Sequence, residues 1–399
     1  MLVLLEPDLV STTGHPYQLS RALGEEAERS GIPIIVQGHR DFQPGAWESP
    51  AMLWRRFSEM SSRLETADNP RERAERLAGE WIQQLGDLER AFPQTVFCFF
   101  HYAPHPRLAR AYWQALRSVG SFRHTLVFNF YGVYLTGEQR QDAIHFLDSI
   151  QEVDDFPAIR WVTDQASFRR DVERANGMDL PEIPFFSLLP GREMPEAIAP
   201  ESRREDFTFF YPSYASLGRG ITVALKAASL VPHRNSTKGI RFRLRFGVTR
   251  QRARTLSWKI RWHRFFLRPP HEILYGSWTT EKLREEWSQA EATLIPYRVA
   301  EFRERTSAVA ADSLALGLPF LCAQGTWMAR LVEAYGCGEL FEDGNPRSLL
   351  EGAERLRQNY DQACAGVVRA REQWLSQNSL KALCRFLLEQ TGVGNDQAD

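Results

Sequence analysis

Short apolar runs alternate with amphipathic stretches along most of this chain, and that alternation restricts its fold more than any other feature. "LVLLE" (2–6) precedes "HPYQLSRALGEEAERSG", where Leu19, Leu23 and Ala27 recur at helical spacing and Pro16 suits a first helical turn. Gly31 closes that helix and "IPIIV" opens the next strand. The stretch 50–90 reads as mainly helical. "TVFCFF" (95–100) leads into a helix within "HYAPHPRLARAYWQALRSVG". "TLVFNF" (125–130), a helix around 138–150, "IRWV" (159–162) and a helix near 165–175 continue the series. Strand–helix alternation of this kind predicts parallel α/β construction.

The series breaks at 181–207, "PEIPFFSLLPGREMPEAIAPESRREDF", which is rich in proline and charge and reads as a linker. It then restarts with "FTFFYP" (207–212), a helix from Gly218, "IRFRLRFGV" (240–248), "EILYG" (272–276) and a helix over 280–289. "ATLIP" (292–296), a helix over 307–316, "LPFLC" (318–322), a helix over 326–334, "ELF" (339–341) and a helix over 346–358 follow. With 399 residues the chain is long for one core and suits two. The expected architecture is α/β, with two Rossmann-like domains facing each other across a cleft at the carboxyl ends of their strands. The boundaries read as 1–190, a linker over 191–206, 207–376, and a C-terminal helix in 377–399 that packs back on the first domain.

The N-terminus "MLVLLEPDLV" has no basic segment and meets Glu6 and Asp8 at once, so it reads as a buried strand rather than a signal peptide. No apolar run is long enough to span a bilayer. Five cysteines, odd in number and without CxxC spacing, point to free thiols in a reducing compartment, and the expected location is the cytoplasm. The net charge of −1 hides an asymmetry: between Phe207 and His271 stand fourteen Lys and Arg and no acid.

The segment 300–320, "AEFRERTSAVAADSLALGLPF", follows a strand. Ser307 can cap the next helix and Gly317 can end it, so a helix N-terminus with free N–H groups faces the loop 297–306. Glu304 lies before that helix and Asp312 just over one turn inside it. Taken alone, the segment reads as a solvated, charged loop followed by an ordinary capped helix rather than as a ligand site.

From Ile273 onward, Gly276, Pro296, Glu304, Asp312, Gly317, Pro319, Gly325 and Thr326 fall in an order and spacing that resembles the C-terminal domain of retaining GT-B glycosyltransferases, particularly glycosyltransferase family 4. The resemblance covers roughly 207–360, and the N-terminal half by architecture only. It implies a nucleotide-diphosphate-sugar donor bound by 207–376 and a glycan or lipid-linked acceptor on the side of 1–190. It implies that Glu304 orients donor-sugar hydroxyls, that Asp312 binds the ribose, and that Arg219 beside Gly218 holds the diphosphate with Thr306 and Ser307 in the donor loop. It implies no metal and no further cofactor. His101, at the end of the strand in "FFHYAPH", corresponds to a place where family members often carry a functional histidine, although a strand-end histidine is commonly structural. In "TTGHPYQ", Gly14 and His15 are the acceptor-side candidates, and a plain strand-to-helix turn is the other reading. Asn129 and Tyr131, ending "LVFNFYG", sit similarly.

Three features depart from the family. Asp312 stands where glutamate is usual, and Arg305-Thr306-Ser307 replaces Gly-Phe-Gly. Ser213 stands where an arginine of the phosphate clamp is expected, so that cation is absent or comes from another arginine such as Arg245 or Arg303. A GT-B-like binding partner without transferase activity, and another nucleotide-sugar enzyme on the same fold, therefore stand beside the transferase. In 250–267, Arg252, Lys259 and Arg264 interleave with Leu256, Trp258, Trp262 and Phe265, as in a basic amphipathic helix that docks on an anionic membrane. No nucleic-acid motif accompanies this charge, and nucleic acid is not the expected partner. A solvated helix with core aromatics is the alternative.

Overall fold

The computed structural model describes residues 1–390 except 13–14, 44, 46, 65–66, 103, 133–134, 136, 152–157, 187–206, 232–238, 248–270 and 277. The chain divides into two compact units, Met1–Gly191 with Asn378–Asp399, and Arg192–Gln377.

The first unit runs β1 (Leu2–Glu6), α1 (His15–Arg29), β2 (Ile34–His39), β3 (Met52–Phe57), α2 (Pro70–Ala91), β4 (Cys98–Tyr102), α3 (Pro106–Val119), β5 (Thr125–Phe130), α4 (Gly137–Gln151), β6 (Ile159–Thr163) and α5 (Ala166–Asn176). Its strands pair in parallel in the order β3-β2-β1-β4-β5-β6, with Leu2 opposite both Ile34 and Cys98. The β1, β2 and β4 strands are buried throughout, which explains their continuous apolar runs. One face packs Val3, Leu5, Phe99 and Phe128 against Trp81 of α2 and Tyr112 of α3. Asn69 caps α2 by accepting from Glu72 N, and proline opens both α2 and α3.

The second unit runs β7 (Phe207–Tyr211), α6 (Ile221–Leu230), β8 (Ile240–Arg245), β9 (Glu272–Leu274), α7 (Thr280–Trp287), β10 (Ala292–Ile295), α8 (Val299–Phe302), α9 (Ala308–Ala315), β11 (Phe320–Ala323), α10 (Trp327–Tyr335), β12 (Gly338–Phe341), α11 (Pro346–Gln358) and α12 (Tyr360–Ala370). Its strand order, β9-β8-β7-β10-β11-β12, repeats that of the first sheet. Both units are thus doubly wound, and the fold class is the α/β arrangement of two Rossmann-like domains expected from the alternation. The last helix, α13 (Leu380–Glu389), belongs to the first unit; it packs on α1, and Cys98 Sγ meets Leu387 O at 3.5 Å.

The stretch 50–90 departs from its mainly helical reading. Met52–Phe57 forms the edge strand β3, paired only with β2. An edge strand is half-exposed, so "MLWRRF" lacks the unbroken apolar run that marks its buried neighbours.

Candidate functional site

In a sheet with this strand order the chain reverses direction beside its first strand, and the crevice outside the carboxyl ends at that point is the natural ligand site. In the second unit this point lies between β7 and β10. The loops following these strands are closely fitted. Gly220 has φ of 68°, and a Cβ there would lie 1.6 Å from Pro296 O, so only glycine serves. Arg298 N donates to Gly218 O at 2.9 Å. Ser213 Oγ and the Tyr297 hydroxyl share a hydrogen bond across the reversal point. Burial raises the pKa of the Tyr297 phenol, while Arg219, Ser213, Arg305 and Ser307 act to lower it. Those four residues therefore lie in the electrostatic surroundings of that phenol, and Ser213 bonds it directly.

The charge at this rim is mostly positive. The guanidinium of Arg219 lies 5.7 Å from the ring centre of Tyr214, a side chain 50 % exposed. Arg245, at the end of β8, is buried; it lies 5.2 Å from the rings of both Tyr214 and Trp278 and donates to Pro212 O at 2.8 Å. Burial holds its pKa below the usual arginine value and Arg219 lowers it further, against the opposing effects of Tyr214 and Tyr211. An acid also stands among these cations: Glu301 lays its carboxylate on Gly218, where an added Cβ would be 1.8 Å from Oε1.

Gly218, Arg219 and Ser307 are thus brought to the reversal point. Glu304 is turned to a salt bridge with Arg330 of α10. Asp312 is buried in the second turn of α9, and Thr306 is buried just before that helix. Ser307 occupies the N-cap position of α9 but its side chain makes no capping bond, so its expected capping role is corrected: its Oγ is buried without a hydrogen-bond partner among the described residues. Gly317, with φ of 76°, follows the end of α9.

The corresponding point of the first unit lies between β1 and β4 and is chemically different. Glu6, at the end of β1, is buried; it accepts from Asp8 N at 3.3 Å, and burial followed by Asp8 raises its pKa well above the ordinary value. His15, the first residue of α1, stacks on Tyr102 at 5.0 Å and on Tyr131 at 6.2 Å. Burial lowers the His15 pKa to about 4, and its Nε2 has no hydrogen-bond partner. Asn129, opposite Tyr102 in the sheet, is fully buried with neither amide atom bonded. Gly14 and the stretch 250–267 lie outside the described residues.

His101 is not in this group. It alternates to the opposite face of β4, enclosed by Tyr112 and Phe128 at ring distances of 5.9 and 6.0 Å, and it is fully buried. Burial lowers its pKa to about 4, while its Nδ1 approaches Tyr102 O at 3.2 Å. A catalytic part for His101 is corrected on that ground, because a histidine sealed between α3 and the sheet cannot meet an acceptor. Elsewhere in the unit, a cleft of about 760 Å³ lies among the first turns of α2, α3 and α4. Much of its charge is internally paired, with Arg110 on Asp142 at 3.1 Å and Arg71 on Glu75 at 2.8 Å.

Sequence reasoning passed over Tyr297, Glu301, Glu6 and the aromatic setting of Arg245. Tyr297 had a signal, since it directly ends the strand "ATLIPY". Arg245 had one in the alternation of "IRFRLRF". Glu301 had none, because only folding of the loop carries it to Gly218. None of the five cysteines forms a disulfide. Among the described residues, no group of three or more His, Cys, Asp or Glu side chains is placed to hold a metal ion, and no helix is long and apolar enough to cross a membrane.

No protein-family model matches the chain, and no curated protein is significantly similar to it in sequence. Solved structures do match along its length. The sucrose-phosphate synthase of Thermosynechococcus elongatus is 15 % identical over 97 % of both chains, with a TM-score of 0.63. A glycosyltransferase from Rickettsia africae is 12 % identical over 98 % of this chain and 97 % of its own, at 0.68. Anabaena HepE, solved with UDP and glucose, is 13 % identical over 98 % and 99 %, at 0.63. The likeness is one of fold. It places the chain in the GT-B fold class that the motif spacing had suggested.

Proposed function

We propose that this chain is a retaining glycosyltransferase that moves a hexose from a nucleotide-diphosphate sugar to a glycan or lipid-linked acceptor in bacterial surface polysaccharide biosynthesis. The observation that carries the reading is the cationic rim at the reversal point between β7 and β10. It sits on a fold shared with glycosyltransferases, among them HepE solved with UDP-glucose and a spinosyn rhamnosyltransferase solved with thymidine diphosphate. The same rim makes a transferase better supported than a binding partner without activity.

In this reading Arg219 and the N-terminus of α9, with Gly218, Thr306 and Ser307 beside them, stabilise the diphosphate as it departs. Glu304 leaves Arg330 to orient the hydroxyls of the donor sugar, and Asp312 holds the ribose. His15, beside Tyr102 and Tyr131, takes the acceptor side, with Gly14 immediately before it. The reaction is proposed to need neither metal nor further cofactor. A thermal-shift series with UDP, GDP and ADP tests the donor site: one of them raises the melting temperature, and polyanions alone do not. Arg219→Ala and Glu304→Gln each lower transfer by ~10²–10³ without unfolding the chain. Transfer by both variants near the wild-type rate rejects these roles.

We place the enzyme in the cytoplasm, at the inner face of the membrane through 250–267. Anionic lipid attracts each nearby basic residue by about 1 kcal/mol. Co-sedimentation with anionic liposomes at low salt, lost at high salt, is the expected result. Equal behaviour with neutral vesicles rejects the docking.

A further inference from the structure

The cleft among the first turns of α2, α3 and α4 takes no part in the donor site, which belongs to the second unit. These helices follow β3, β4 and β5, so their first turns lie at the carboxyl end of the first sheet. His105 caps α3 by accepting from Arg107 N at 3.2 Å, and it forms part of the cleft wall. It stands three residues after Tyr102, which ends β4 and stacks on His15. Three residues span at most about 11 Å, so the cleft begins close to the reversal point between β1 and β4.

The lining restricts what can bind. Pockets of about 300–1,000 Å³ are ordinarily lined by apolar side chains. This one, of about 760 Å³, is polar or charged at every lining residue except Ala111, which disfavours a lipid or other apolar ligand. Arg71, Arg107 and Arg110 are matched by Glu75, Glu138 and Asp142. That balance provides little net field to hold a polyanion. Arg110 is fixed by Asp142 at 3.1 Å and by the Phe146 ring at 5.5 Å, so this pair sets the shape of the wall. Among the described residues, the side chains of Arg107, Gln114 and Glu138 have no hydrogen-bond or ion-pair partner. They supply a donor fork, an amide that both donates and accepts, and a pair of acceptor oxygens. Planar groups of these three kinds match neighbouring hydroxyls, each of which donates and accepts at once.

We propose that this cleft is a remote saccharide subsite, which holds an uncharged stretch of a glycan acceptor away from its reacting hydroxyl. The proposal rests on the transferase reading and deepens it: the acceptor is an oligosaccharide that extends from the rim at Tyr102 to α4. Arg107, Gln114 and Glu138 bond its ring hydroxyls, while the closed pairs keep the wall in place before binding. Two connected subsites raise each other's effective concentration of sugar, so affinity grows with chain length.

The test begins with retention of the full chain on an array of uncharged and anionic oligosaccharides. Isothermal titration follows, with the uncharged oligosaccharide retained best and with its monosaccharide. The oligosaccharide is expected to bind at least about 10-fold more tightly than the monosaccharide. Arg107→Ala and Glu138→Ala are each expected to weaken it about 10-fold, as for loss of a hydrogen bond to a charged group. Arg117→Ala is the control on α3 outside the cleft, where Arg117 lies 4.9 Å from the Trp113 ring, and it is expected to change affinity less than about 2-fold. All three residues are exposed, so the variants are expected to fold. Unchanged affinity in both cleft variants, or retention of anionic glycans alone, overturns the proposal. If the oligosaccharide binds through the cleft but UDP, GDP and ADP all leave the melting temperature unchanged, the subsite stands and the donor reading falls. If one of these nucleotides raises it and no oligosaccharide binds, the donor reading stands and the subsite falls. Binding of neither overturns both.

Discussion

The carboxyl rims of the two sheets are built on one strand order and carry opposite chemistry. Around the end of β1, the first unit gathers three groups whose charged forms burial disfavours, the carboxyl of Glu6, the imidazole of His15 and the phenol of Tyr102, together with the buried amide of Asn129. Around the end of β7, the second unit gathers Arg219 and Arg245, which stay charged. Neutral donors and acceptors suit hydroxyls, and unpaired guanidiniums suit anions. The comparison teaches that a doubly wound sheet sets where a ligand sits, while the few side chains at the strand ends set its charge.

Glycines at the two rims allow the comparison to be broken. Gly220→Ala places a β-carbon in the left-handed region and against the backbone of Pro296, which has no rotamer to yield. The strain and overlap together are expected to cost about 3 kcal/mol or more and to lower the melting temperature of the chain. Gly132→Ala is the control in the first unit. Its Cβ would meet the Gln165 side chain at 2.0 Å, and a side chain can swing away. That change is expected to cost about 1 kcal/mol. Equal losses at both sites would mean that the two loops in the second unit are not fitted so closely.

A smaller effect sharpens the contrast through pH. Glu6 has a folded pKa raised above its unfolded 4.5, so its contribution to stability is fully present below that value and is lost as pH rises through the folded pKa. Glu6→Gln should therefore match wild type near pH 4 and gain on it progressively above, as read by urea unfolding at several pH values. His101 acts with the opposite sign. Its folded pKa of about 4 lies below the unfolded 6.5, so its contribution is complete above 6.5 and is lost as pH falls towards 4. A Glu6→Gln variant whose stability parallels wild type from pH 4 to 9 would show that the first rim holds Glu6 ionised.

Much of the fold was legible because burial leaves a direct trace in the chain. Strands such as Leu2–Glu6 and Thr125–Phe130 are apolar along most of their length because helices cover both faces of their sheet. The helix Pro346–Gln358 announces itself by an Asn-Pro start whose asparagine accepts from Arg347 N and Ser348 N. The edge strand Met52–Phe57 left no such trace, since half-exposed residues are not selected for apolarity. Among the site residues, Gly218, Arg219 and Ser307 could be placed in order along the chain, because loops at the ends of parallel strands converge whatever their composition.

What the sequence by itself determined was the repeat of strand and helix, the break near 181–207, and the concentration of positive charge between Phe207 and His271. Those follow from local periodicity and composition, which act over a few residues. Only the tertiary structure decided which charges remain unpaired. Arg243 and Arg245 are two residues apart and identical in sequence terms, yet one meets Glu272 and Glu286 while the other meets Tyr214 and Trp278. Glu301 and Glu304 are three apart, yet one rests on Gly218 and the other on Arg330. Charge compensation depends on partners tens of residues away, and distance along a chain carries no record of which of them folding brings within a few ångströms.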